Sequence, residues 1–136
     1  MTFKRGVFVF AVFVCFILPS FGSAVPFIVG IANNALDGAN ADGHTVMLRN
    51  PSIGESDNVT DIIGPLGNSG TSNVYMIDCA LLANGCGIGT QIRTRVINTG
   101  DTYISNFSNL TISGAGFQQM GNLTLNSLPN ILLSSP

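Results

Sequence analysis

In IGTQIRTRVINTG, residues 88–100, side-chain character alternates residue by residue. Ile88, Thr90, Ile92, Thr94 and Val96 fall on one side, and Gln91, Arg93 and Arg95 on the other. A period of two is that of an extended strand with one face buried, and it recurs along the chain. HTVMLRN sets Val46 and Leu48 against Thr45, Met47 and Arg49. NVYMIDC sets Tyr75, Ile77 and Cys79 against Val74 and Met76, as in a strand covered on both faces or near an edge, with Tyr75 expected in the core. NLTISG offers Leu110 and Ile112, NLTLNS offers Leu123 and Leu125, and PFIVGIAN places Phe27, Val29 and Ile31 on one face. Turn formers separate these runs: Asp37-Gly38, Asp42-Gly43, Gly64-Pro65, Asn68-Ser69-Gly70, Asn84-Gly85 and Thr99-Gly100-Asp101. About seven short strands at regular spacing predict an all-β β-sandwich built as a single domain. Residues 51–73 are polar and glycine-rich, and are expected to form a long loop with room for one short strand. Residues 129–136 read as a loose tail.

The chain is expected to begin with a helical signal peptide over residues 1–24. Lys4 and Arg5 precede an apolar run over residues 7–18, followed by Pro19 and a small-residue site ending Gly22-Ser23-Ala24. That run is short of the roughly 20 apolar residues a membrane span needs. The sandwich then occupies residues 25–128. Cleavage removes Lys4 and Arg5, two of the five basic residues, and none of the seven acidic ones, so the net charge moves from −2 to −4. An acidic domain with three scattered arginines and no lysine presents no basic patch to a phosphate backbone, and nucleic acid is not an expected partner. No membrane span is expected after cleavage.

Cys15 lies in the apolar run, which leaves Cys79 and Cys86 as a pair in an exported chain. Their spacing exceeds the Cys-x-x-Cys of a redox centre, and two thiols with the single distant His44 fall short of a zinc site, so a disulfide is favoured. Closing so short a loop constrains the unfolded chain by about 2–3 kcal/mol in the loop-entropy account. The DGANADG run, residues 37–43, does not fit a calcium loop. With Asp42 and Gly43 as fifth and sixth positions, Gly38 and Arg49 stand where oxygen ligands are required. No metal or cofactor is expected. His44 has no second histidine or nucleophile arrangement beside it, the Gly-x-Ser-x-Gly elbow is absent, and Glu55 with scattered aspartates makes a poor hydrolytic pair. The chain therefore reads as non-enzymatic. Asn58, Asn106, Asn109 and Asn122 each begin an Asn-x-Ser/Thr sequon and are candidate glycosylation sites in an exported protein.

The order of these pieces resembles the transthyretin-like, or carboxypeptidase-regulatory-like, sandwich domains of exported prokaryotic surface proteins. The matching residues are Gly43-His44-Thr45-Val46, Tyr75-Met76-Ile77-Asp78 and Gly89-Thr90-Gln91-Ile92. The resemblance implies an immunoglobulin-like Greek-key sandwich acting as a surface module. Related pilin and adhesin domains often carry a Lys–Asn isopeptide crosslink, which a cleaved chain without lysine cannot form.

The leading expectation is a secreted structural or adhesion module at the cell surface or outside the cell. Neither an apolar C-terminal span nor a Leu-Pro-x-Thr-Gly signal is seen, so the expectation is attachment through another surface protein, through self-association, or none at all. One alternative is a filament subunit. The Phe27, Val29, Ile31 strand would then pair with the sheet edge of a neighbour, although a strand in its own sandwich is the simpler expectation. In a type IV pilin-like form, KRGVFVF would be cut to leave Val7 first. A small carbohydrate-binding domain is a further alternative. It usually wants an aromatic platform, and the cleaved chain has no Trp and only Tyr75 and Tyr103.

Overall fold

The computed structural model describes residues 26–97, 100, 102–114 and 116–127. The expected signal peptide, residues 1–24, and the expected tail, residues 129–136, lie outside the described residues. The described chain is all-β, with nine strands: β1 (Pro26–Asn33), β2 (Thr45–Arg49), β3 (Asn58–Ile62), β4 (Val74–Asp78), β5 (Gln91–Ile97), β6 (Tyr103–Ser105), β7 (Ser108–Thr111), β8 (Gly116–Gln119) and β9 (Leu123–Ser127). One 3-10 turn, Cys79–Leu81, follows β4, and its start is capped by the Asp78 carboxylate accepting from Ala80 N.

Two sheets pack face to face. One runs β4-β1-β9-β6 with β8 also on β1, and the other runs β3-β2-β5-β7. Most pairings are antiparallel, but β1 lies parallel to β8 (Phe27 opposite Phe117) and to β9 (Ala32 opposite Leu123). Alternation determines the core. Ile28 and Ala32 of β1, Tyr75 and Ile77 of β4, and Leu123 and Leu125 of β9 face Val46 and Leu48 of β2 and Ile92, Thr94 and Val96 of β5. Ile63, Ile112, Met120 and Leu82 fill the ends. Where such faces interdigitate, truncating one leucine to alanine costs about 2–5 kcal/mol.

Several expectations need correction. Strand β5 starts at Gln91, and Ile88 stands 79% exposed in the preceding loop. Gly89 adopts φ +87°, a left-handed conformation that ends the alternation, and its N–H donates to Ile112 O. The polar stretch 51–73 does hold one strand, β3, but of Ile62 and Ile63 only Ile63 is buried, while Ile62 is 39% exposed. Strands β6 and β8 raise the count above seven. They are three and four residues long, too short to show a period. In β1 Phe27, Val29 and Ile31 do share one face, and it is the outward one, while Pro26, Ile28, Gly30 and Ala32 are buried.

Long loops are held by aspartates. Asp61, at the end of β3, accepts from Met76 N of edge strand β4 (3.0 Å) and from Asn68 N (3.0 Å). Asn68 Nδ2 donates to Met76 O, and Ser69 Oγ to Val74 O. Side chains thus occupy backbone groups that a free sheet edge would expose.

Candidate functional site

Strands β2 and β5 are neighbours, and their register sets Arg49 opposite Arg93 and Met47 opposite Arg95, with all three arginines on the outward face. Three guanidinium groups on adjacent positions repel one another, and two features offset the repulsion. Phe107, just before β7, lays its ring among them, with guanidinium carbons 4.9 Å (Arg93), 5.2 Å (Arg95) and 5.9 Å (Arg49) from its centroid. Cations over an aromatic face are attracted by the negative ring quadrupole. Glu55 supplies a carboxylate, accepting from Arg49 Nη1 at 2.6 Å and Arg95 Nη2 at 3.4 Å. The Nε atoms of Arg49 and Arg95 are buried without a hydrogen-bond partner.

Arg93 differs from its two neighbours. Its Nε donates to Asn109 Oδ1 of β7 at 2.7 Å, no carboxylate among the described residues engages it, and it borders a groove of about 320 Å³. That groove lies along β5 and β7 and is lined by Gln91, Arg93, Asn109, Leu110 and Thr111. The three arginines that the sequence scatters are thus one basic patch, with a single counter-charge, Glu55, among the described residues. The alternation already pointed Arg93 and Arg95 outward. Arg49 and Phe107 join them only through strand pairing.

The other candidate residues lie apart from this patch. Cys79 and Cys86 form a disulfide, with Cα atoms 5.6 Å apart, bridging the 3-10 turn to the loop before β5. Beside it, Asp57 accepts from Ala83 N (2.7 Å), Asn84 N (3.3 Å) and Asn84 Nδ2 (2.9 Å). The Asn84 side-chain bond does most to hold the Asp57 carboxyl below its ordinary range. Burial opposes the shift, and the two backbone bonds add to it. Asp42 is lowered likewise, first by Ser72 Oγ and then by Asn73 N, each donating at 2.6 Å. His44 packs edge-on against Tyr103 with centroids 5.7 Å apart, and Tyr103 donates its hydroxyl proton to Asp37 Oδ2. Among the described residues no three His, Cys, Asp or Glu side chains converge as a metal site, and no helix is long and apolar enough to cross a membrane.

All four sequon asparagines are exposed, in different settings. Asn58 Nδ2, the atom a glycan would occupy, donates to Glu55 O. Asn106 Oδ1 accepts from Thr124 N, and Asn109 Oδ1 accepts from Arg93. Phe27, Val29 and Ile31 lie on the outer face of the five-stranded sheet, where the Phe27 ring meets that of Phe117 at 5.6 Å. The backbone of β1 is paired within its own chain by β4 on one side and by β8 and β9 on the other. A groove of about 530 Å³ crosses this face, bordered by Val29, Ile31, Val74 and Phe117.

Comparison with models of known protein families and with curated proteins finds no match to this chain.

Proposed function

We propose that this protein is a secreted, non-enzymatic structural or adhesion module of the cell surface, built as an immunoglobulin-like Greek-key sandwich of the transthyretin-like kind. The observation that carries this reading is the use made of its carboxylates. Asp42, Asp57 and Asp61 accept hydrogen bonds from backbone amides far along the chain, so groups that acid–base chemistry would employ instead pin loops to the sandwich. The Cys79–Cys86 bridge supports export, because disulfides persist in oxidising compartments.

Labelling intact cells with an impermeant antibody, together with thiol alkylation and N-terminal sequencing of the exported protein, tests the reading. Surface or medium localisation, no alkylatable thiol and a start at Val25 are expected. Cytosolic protein with reactive thiols would end it.

A filament subunit is the second reading, favoured by the apolar outer face of Phe27, Val29, Ile31 and Phe117. Since β1 is already paired on both sides, association would use that face rather than a donated strand. A start at Val7 in the sequencing, with sedimenting assemblies, would favour the pilin-like form instead.

A further inference from the structure

We infer that the groove beside Arg93 binds a carboxylated glycan, and so supplies the contact by which the module proposed above adheres; the inference rests on that adhesive reading. Charge complementarity is the first support. The basic residues of 25–136 number three, all on this face, and the groove wall contains no acidic side chain. Glu55 takes up Arg49 and Arg95, while no acceptor among the described residues engages the two terminal amines of Arg93. A guanidinium whose Nε is already fixed by Asn109 holds its remaining N–H fork in one orientation, suited to a carboxylate that accepts two parallel bonds.

The rest of the wall argues for a sugar rather than a peptide. Gln91 pairs with Thr111 and Arg93 with Asn109 across β5 and β7, so this floor spends its ladder hydrogen bonds within the sheet. An extended peptide lying over that floor would lack main-chain partners, and only the outer edge of β7, the end strand of its sheet, leaves backbone groups unpaired by a strand. What projects instead is two amides and a hydroxyl, from Gln91, Asn109 and Thr111, which donate and accept as the hydroxyl groups of a sugar require. Phe107 contributes from beneath, holding the arginine cluster in place by its ring face. An acidic polysaccharide made of uronic acid units meets these demands together: one carboxylate for Arg93 and hydroxyls for the wall.

Titration calorimetry of the purified exported protein with an oligogalacturonate, and with the same oligosaccharide methyl-esterified, tests this directly. The carboxylated form should bind and weaken as salt rises. Esterification, which leaves the sugar but removes the charge, should reduce affinity by about tenfold or more, and so should Arg93→Gln. Unchanged circular dichroism of Arg93→Gln assigns its loss to the site, and the esterification arm needs no variant at all. No binding of the oligogalacturonate, equal binding of both forms, or full binding by a folded Arg93→Gln protein would overturn the inference. Cell-surface localisation would be untouched by such a failure, so the two readings fall separately.

Discussion

Gly30 has no side chain because the Tyr75 ring occupies the place where one would be. A Cβ built there would lie 2.2 Å from the tyrosine hydroxyl oxygen and 2.3 Å from the ring carbon that bears it. The two residues are direct partners across β1 and β4, and the hydroxyl continues past the glycine to Thr94 Oγ1, 3.1 Å away in the opposite sheet. Gly30→Ala should therefore destabilise the fold by about 2 kcal/mol or more, as overpacking a filled core does, read as a lowered denaturant midpoint. A midpoint within error of wild type would show that the ring can step aside. Burial pushes the Tyr75 hydroxyl up to about 12, partly offset by the Thr94 bond. A raised folded value means that stability is complete below the unfolded tyrosine value of about 10 and is lost as pH climbs from there through the folded one. In a Tyr103→Phe variant the tyrosinate absorbance reports Tyr75 alone, since the chain has two tyrosines. It should rise only near pH 12 or with alkaline unfolding, and a midpoint near 10 in the folded protein would refute the buried placement. The burial of Tyr75 was readable from its alternation with Ile77. Its fit over a glycine was not, because that depends on which strand lies alongside.

At the scale of elements, edge strand β4 and the loop before β5 depend on side chains that lie far off in sequence. Asp61→Ala would leave the amides of Met76 and Asn68 without their acceptor, at a cost of about 1–3 kcal/mol. Amide hydrogen exchange should show Met76 losing protection while the centre of β5 keeps its own; uniform loss across all strands would mean that the edge is not separately held. For the disulfide, Cys79→Ala with Cys86→Ala should lower stability by about 2–3 kcal/mol with the strand content retained. A larger effect would point to native packing around Cys79, which is wholly buried. The long strands were legible because each carries its own apolar face. Strands β6 and β8 were not, since segments of three and four residues owe their extended form to the partners β9 and β1 rather than to any pattern of their own.

For the molecule as a whole, the lowered carboxyls of Asp42 and Asp57 predict sensitivity to acid. A depressed folded value contributes stability above the unfolded aspartate value of about 3.9, and that contribution disappears as pH falls through the folded one. Thermal melts should hold steady from neutrality to about pH 5 and then decline. The double variant Asp42→Asn, Asp57→Asn should start lower at neutral pH and decline less, and parallel profiles for the two proteins would assign acid sensitivity to other groups. The sequence by itself determined the all-β class, the places of the longer strands along the chain, most of the residues that face inward and the pairing of Cys79 with Cys86. These follow from a period of two, local turn chemistry and a short loop, none of which needs knowledge of the neighbours. Only the tertiary structure decided that β1 runs parallel to β8 and β9, that the aspartates hold loops, and that Arg49, Arg93, Arg95 and Phe107 form one patch. Each of these depends on the register between segments far apart in the chain, and register is set by how two whole faces pack rather than by any local run of residues.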